Sequence, residues 1–214
     1  MQLSDNPLNI TLSVEELTKR FGKRTIFKSL SIRFDGAGVY GIAGSNGAGK
    51  STLVKVILGV LEAKGKVTLQ VGNTRFLQNE IPFNTGFVAP YFILYDEFSA
   101  IENLTMSCGI RGVEFDEKRV YTLLERLGLQ GREHDLVRGY SSGMKQRLKY
   151  VNALLHNAPL YVFDEPTSNL DQSGKEIVYA LIKELSINSI VILASNEESD
   201  LGLCSVICSV EEYR

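Results

Sequence analysis

One octapeptide constrains this chain more than any other feature: residues 44–51 read GSNGAGKS and match the pattern G-x-x-x-x-G-K-[S/T]. The apolar stretch GVYGIA precedes it, and the helical pattern TLVKVILGVL follows it. A glycine-rich turn between a strand and a helix aims backbone N–H groups and the positive end of the helix at an anion. We therefore favour a phosphate-binding loop here over a chance glycine-rich turn.

The same loop supplies the groups that a nucleoside triphosphate and its metal ion require. Lys50 offers a positive charge to the β- and γ-phosphates, Ser51 offers an oxygen to Mg²⁺, and Thr52 adds a hydroxyl. The glycines let the backbone approach the phosphate oxygens closely. The residues expected to contact the nucleotide are Gly44, Ser45, Asn46, Gly47, Ala48, Gly49, Lys50, Ser51 and Thr52.

Two acids at the end of an apolar strand complete the predicted site. Residues 160–166 read LYVFDEP, and a buried strand seldom ends in two acids by accident. Asp164 is expected to orient the water shell of Mg²⁺, and Glu165 to polarise the attacking water as a general base. Taken alone, such a pair also fits the start of a solvated loop, but its coupling to the glycine-rich loop favours the metal site.

The pattern of elements predicts an α/β fold, since strand and helix signals alternate along the chain. Nearly continuous apolar runs at 159–163 and 189–194 indicate central parallel strands. The stretch from about 92 to 140 carries helix signals only, so we predict a helical insert there in a single domain whose core is 1–91 and 141–214. Two β stretches around the Asp-Gly turn of 29–44 suggest an antiparallel edge.

Charge and hydropathy exclude some functions. The chain carries 23 Lys and Arg against 25 Asp and Glu, so it lacks the basic excess that nucleic-acid binding needs. Its few scattered cysteines favour a reducing compartment. The N-terminus lacks the layout of a secretory signal, and no apolar run approaches the ~20 residues of a membrane span. We therefore expect a cytoplasmic protein that docks onto another chain if it serves a membrane.

Motifs between and after these two segments indicate which class of nucleotide-binding protein the chain resembles. No N-K-x-D guanine-reading sequence occurs, which argues against a GTPase. Residues 140–147, YSSGMKQR, resemble the LSGGQ-type signature of ABC ATPases, and SNLD at 168–171 is similar to the D-loop of that family. Phe21 is similar to its aromatic residue that stacks on adenine. Taken singly, Phe21 also fits a core position, and YSSGM also fits a plain helix N-cap.

The resemblance covers essentially the whole chain and implies a mechanism. Two cassettes would pair head to tail, with each ATP held between the glycine-rich loop of one chain and Ser141 and Gly143 of the other. Hydrolysis of ATP with Mg²⁺ would then drive transport by separate transmembrane permease subunits, with the cassette lying on the inner face of the cell membrane.

Three positions depart from the family pattern. Ser142 and Met144 replace a glycine and a glutamine of the signature, and Pro90 or a neighbour stands where a glutamine would contact Mg²⁺. Asn196, which we assign a catalytic role, stands where the family has a histidine that holds the γ-phosphate. Asparagine forms hydrogen bonds but carries no charge. These losses leave open a second function, a nucleotide-gated dimerising module with little or no hydrolysis.

Overall fold

The computed structural model describes residues 9–214. The N-terminal segment, for which the sequence predicts no secretory signal, lies largely outside these residues. In these residues the strands are β1 (Ile10–Phe21), β2 (Arg24–Asp35), β3 (Gly38–Ala43), β4 (Lys64–Val71), β5 (Thr74–Leu77), β6 (Thr85–Val88), β7 (Leu160–Asp164), β8 (Ile190–Ser195) and β9 (Val206–Ser209). The α-helices are α1 (Lys50–Ile57), α2 (Ala100–Arg111), α3 (Glu117–Arg126), α4 (Ser142–Ala153), α5 (Gln172–Leu185) and α6 (Glu198–Leu201).

These strands form two sheets. Five parallel strands lie in the order β6-β7-β8-β3-β9, and four antiparallel strands lie in the order β2-β1-β4-β5. Because parallel strands need crossover connections, helices pack on the faces of the first sheet. The predicted fold class is confirmed: a mostly parallel α/β core, an antiparallel β subdomain and an inserted helical subdomain.

The parallel sheet lies between two hydrophobic cores, as its sequence predicts. Along β7, Leu160 and Val162 face the core shared with α1 and the antiparallel sheet, whereas Tyr161 and Phe163 face the core shared with α4 and α5. Every residue of β7 and β8 is buried. The continuous apolar runs therefore correspond to central strands with both faces covered.

The antiparallel sheet differs from the hairpin-like arrangement that residues 29–44 suggest. Strands β2 and β3 flank the Asp35–Gly36 turn but lie in different sheets, β2 beside β1 and β3 between β8 and β9. The turn is a crossing between sheets. Its local sequence cannot show this, since the partner of each strand is set by contacts with distant segments.

Helices α2 and α3 lie between β6 and α4 in the chain. Helix α2 starts at a capping box, in which the Ser99 side chain accepts from the Glu102 amide and the Glu102 side chain accepts from the Ser99 amide. Its apolar face joins the core that holds α4 and α5. The boundaries of the helical insert at about 92 and 140 stay a prediction. Within residues 9–214, no helix has the length and apolar character to cross a bilayer.

Candidate nucleotide-binding site

The glycine-rich loop between β3 and α1, called the P-loop below (residues 44–52), has the backbone that its sequence predicts. Gly44, Gly47 and Gly49 have φ values of 154°, 79° and 116°, which L side chains rarely adopt. A Cβ at Gly49 would lie 2.6 Å from Cγ2 of Ile26. Space and dihedral angle both therefore require glycine at position 49, immediately before the first residue of α1.

Lys50 lies inside this loop and is only 5% exposed. Its Nζ donates to the carbonyl of Gly44 at 2.8 Å and to that of Ser45 at 3.4 Å. An ammonium group carries three N–H donors, so these two bonds leave one donor free for a phosphate oxygen. These two bonds hold the ammonium group of Lys50 against the backbone of the P-loop.

The P-loop and the acid after β7 share one cavity of about 260 Å³. Arg24 and Ile26 stand at its wall. Its other lining residues, all predicted from the sequence, are Asn46, Gly47, Gly49, Lys50, Ser51, Thr52 and Glu165. A wider depression lies on the surface of α3 and contains no predicted site residue.

Asp164 ends β7 with its side chain fully buried, and neither carboxylate oxygen has a hydrogen-bond partner among the described residues. Burial raises the pKa of Asp164, and the nearby hydroxyls of Ser51 and Tyr91 only partly oppose this. An unpaired carboxylate beside a serine hydroxyl fits a hard divalent cation, because Mg²⁺ prefers oxygen ligands. Ser51 and Asp164 are thus the residues that would hold the metal.

Glu165 follows Asp164 in a strained conformation, with φ at 51°. Its backbone N–H donates to the carbonyl of Ala194 at the end of β8, at 2.8 Å. A left-handed backbone at a residue other than glycine costs about 1–3 kcal/mol and occurs often at functional sites. This turn carries the half-buried carboxylate of Glu165 to the wall of the cavity.

Asn196 directly follows β8, but its side chain is exposed and does not line the cavity. Its neighbour Ser195 belongs to a buried network that the sequence did not indicate. There the carboxylate of Asp200, 1% exposed, accepts hydrogen bonds from Ser195 at 2.7 Å, Tyr179 at 2.9 Å and Thr167 at 3.1 Å. The network ties the end of β8 to the segment that follows Glu165.

The signature residues lie apart from the P-loop of the same chain. Ser141 caps α4 by accepting from the amide of Met144 at 3.2 Å. A Cβ at Gly143 would lie 3.2 Å from the carbonyl of Asn169, so glycine lets the D-loop segment approach α4. Neither Ser141 nor Gly143 lines the cavity.

Phe21, at the end of β1, is 50% exposed and does not line the cavity either. The ammonium of Lys19 lies 4.9 Å from the centre of its ring. Its cross-strand partner Arg24 does reach the site, where it donates to the carbonyl of Gly47 at 3.5 Å. Sequence reasoning missed Arg24 because only the pairing of β1 with β2 carries it to the P-loop.

A carboxylate from the end of the described chain also meets the P-loop. Glu211 accepts from the amide of Ser45 at 3.2 Å and from its hydroxyl, and these bonds lower the pKa of Glu211. No local pattern indicates this contact, since 166 positions separate the two residues.

Comparisons with known proteins support the family assignment. The model of the ABC transporter family matches residues 27–168. The uncharacterized ABC transporter ATP-binding protein YybJ of Bacillus subtilis (strain 168) is 27% identical over 206 residues, which are 95% of this chain and 94% of that protein. The bacitracin transport ATP-binding protein BcrA of Bacillus licheniformis is 32% identical over 185 residues.

The extent of the match varies among the relatives. The aligned region covers 84% of this chain but 60% of BcrA, and 57% of another relative, the uncharacterized ABC transporter ATP-binding protein YdbJ of Bacillus subtilis (strain 168). A solved structure, a putative ABC transporter ATP-binding protein from Pyrococcus furiosus, superposes with a TM-score of 0.80 at 25% identity and covers 95% of this chain and 98% of its own. The chain therefore belongs to the ABC transporter family and is a nucleotide-binding domain of the ABC type.

Proposed function

We propose that this cassette binds Mg-ATP in the P-loop cavity and hydrolyses it to ADP and phosphate. One observation carries the proposal: a single cavity brings Lys50 and Ser51 of the P-loop together with the carboxylate of Glu165. The first two residues bind phosphate and metal, and the third acts on water. Thr52 adds a hydroxyl at the same wall.

Each group has one step in this reaction. Lys50 binds the negative oxygens of the β- and γ-phosphates, and the P-loop amides bind the remaining charge. Glu165 accepts a proton from the attacking water as the water oxygen bonds to the γ-phosphorus and the bond from that phosphorus to the β–γ bridging oxygen breaks, so that ADP leaves with the bridging oxygen. A well-placed general base contributes about 10²–10⁴ in rate. Mg²⁺, when bound at Ser51 and Asp164, neutralises charge on the phosphates.

The proposal includes a second cassette, because Ser141 and Gly143 do not reach the cavity of their own chain. The N-terminus of α4 carries exposed Ser141 and Ser142 and a positive helix end, which together suit an anionic γ-phosphate. A head-to-tail pair would place this terminus against the ATP of the partner. Since ADP lacks the γ-phosphate, ATP would favour the closed pair and hydrolysis would release it.

Transport is the process that the relatives suggest. Their printed names include bacitracin transport, Nod factor export and lantibiotic transport. We infer that this chain serves separate transmembrane permease subunits from the inner face of the cell membrane. We place that contact near residues 86–100, where Tyr91 is 36% and Tyr95 54% exposed, whereas Phe92 packs against the core that holds α4 and α5.

Two residues favour the second candidate, a nucleotide-gated dimerising module with little hydrolysis. Pro90 has no side-chain donor or acceptor, and Asn196 is exposed and lies outside the cavity. Replacing Asn196 with His restores the family residue. An increase in phosphate release by Asn196→His would show that position 196 limits turnover in this chain.

Phosphate release by the purified chain in Mg-ATP tests hydrolysis directly. Glu165→Gln should reduce turnover by at least about a hundredfold, while the matched variant Glu125→Gln, exposed on α3, should match the wild type. Equal background rates for wild type and Glu165→Gln would contradict hydrolysis. Size-exclusion chromatography with Mg-ATP then separates the candidates, since ATP-dependent pairing without turnover supports the dimerising module.

A further inference from the structure

The turn that carries the general base, called the Glu165 turn below (residues 165–167), is held at each of its residues. Glu165 has φ at 51°, a conformation that residues other than glycine rarely adopt and that persists only where the surrounding structure fixes it. The amide of Glu165 donates to the carbonyl of Ala194 at 2.8 Å. This bond ties the first residue of the turn to the end of β8, and the next two residues depend on other contacts.

The second residue of the turn, Pro166, is held from α4. The hydroxyl of Tyr150, which is fully buried, donates to the carbonyl of Pro166 at 2.7 Å. Gln146 donates to the same carbonyl at the longer distance of 3.4 Å. The ring of Tyr150 packs edge-on against Phe163 of β7, with the ring centres 5.1 Å apart. This packing fixes the position of the hydroxyl, and the hydroxyl in turn fixes the backbone directly after Glu165.

The third residue of the turn, Thr167, is held by the buried carboxylate of Asp200. Thr167 is 2% exposed, and the shortest hydrogen bond of its hydroxyl runs to Oδ1 of Asp200 at 3.1 Å. Two further hydroxyl groups orient this carboxylate, those of Ser195 at 2.7 Å and Tyr179 at 2.9 Å. The carboxylate therefore has a fixed position from which it holds the backbone of the turn.

We propose that Tyr150 and Asp200 are positioning residues that orient Glu165 towards the attacking water. Neither side chain lines the P-loop cavity, so both act through the Glu165 turn, whose first residue does line it. A general base works only within hydrogen-bond reach of the water, and a displacement of about 1 Å in an active site can cost about a hundredfold in rate. The two buried bonds prevent the strained turn from relaxing and withdrawing the carboxylate. The inference rests on the proposed hydrolysis of ATP.

Phosphate release and calorimetric titration with Mg-ATP, measured on the same variants, test this role. Tyr150→Phe and Thr167→Val each remove one hydroxyl and keep the shape of the side chain. We expect each variant to lower kcat by about tenfold, the effect of one buried hydrogen bond, and to leave the affinity for Mg-ATP unchanged, because Glu165 acts on the water. Thr167→Ser keeps the hydroxyl and should retain the wild-type kcat.

Two matched controls remove equally buried hydroxyl groups that bond elsewhere. Thr85, 1% exposed, donates to the carbonyl of Ile81 at 2.7 Å, and Tyr161, 2% exposed, accepts from the amide of Ala158 at 3.2 Å. Thr85→Val and Tyr161→Phe should lose stability in urea unfolding as the test variants do, and should keep the wild-type kcat. A loss of stability alone therefore does not produce the expected result.

The outcomes separate this inference from the proposed function. A test variant that keeps the wild-type kcat, or that loses affinity for Mg-ATP as strongly as it loses kcat, shows that its side chain does not position the base. Adding Tyr150→Phe or Thr167→Val to Glu165→Gln should lower the rate no further, and a further loss would show that the hydroxyl acts by another route. If the wild type and Glu165→Gln release phosphate at the same rate, the proposed function fails and this inference fails with it.

Discussion

Replacing Asp164 with Asn should stabilise the free chain while it abolishes magnesium-dependent ATP binding. Asp164 is fully buried, and neither of its oxygens has a partner among the described residues. A buried polar group without a hydrogen bond costs about 1–3 kcal/mol, and a charged group costs more than a neutral one of the same shape. The carboxylate therefore reduces the stability of the nucleotide-free fold in return for metal binding.

The expected gain in the free energy of unfolding is about 1–3 kcal/mol at pH 7. Each kcal/mol raises the melting temperature by roughly 2–4 °C in a chain of this length. Because burial raises the pKa of Asp164 above the 3.8 of an exposed aspartate, the destabilisation is complete above the folded-state pKa. It disappears as the pH falls through that pKa towards 3.8, so the advantage of Asp164→Asn should shrink in acid.

Urea unfolding followed by circular dichroism, in EDTA without nucleotide, measures this difference. Asp200→Asn is the matched control, because Asp200 is equally buried but accepts hydrogen bonds from three hydroxyl side chains. That variant should lose about 1–3 kcal/mol. The reasoning is refuted if Asp164→Asn is less stable than the wild type in EDTA, or if it retains the magnesium-dependent gain in ATP affinity.

Two further predictions concern the P-loop. Gly49→Ala should lower the free energy of unfolding by about 1–3 kcal/mol, because its Cβ would lie 2.6 Å from Ile26 at a φ of 116°. The control variant Gly47→Ala, with no atom within 4 Å of its Cβ, should lose less stability. Equal losses of stability in urea unfolding would contradict the steric argument. Glu211→Gln should tighten Mg-ATP binding by up to about fivefold at low salt, because it removes a negative charge beside the Ser45 amide. Calorimetry that shows no gain in ATP affinity at low salt would contradict this prediction.

Local chemistry made much of the site predictable. The run GSNGAGKS predicts the backbone conformation of the P-loop, because its glycines permit the positive φ values that the loop adopts. The apolar run that ends in Asp164 and Glu165 likewise predicts a buried strand with two acids at its carboxyl end. In both segments, the pattern that gives the prediction lies within a few consecutive residues.

Contacts between distant segments were not predictable in the same way. The turn at Asp35 reads as a hairpin, yet its two strands join different sheets. Arg24 and Glu211 reach the P-loop through strand pairing and the return of the C-terminal segment. The local pattern of a single sequence carries no signal for such pairs.

The central claim is that the P-loop grips the phosphates of ATP with backbone amides and the ammonium of Lys50. Calorimetric titration of the isolated chain with Mg-ATP, for the wild type and for Lys50→Ala, tests it most directly. The account predicts saturable heat that depends on magnesium for the wild type and none for the variant. Absence of that heat in the wild type, or an unchanged titration in folded Lys50→Ala, would contradict the account.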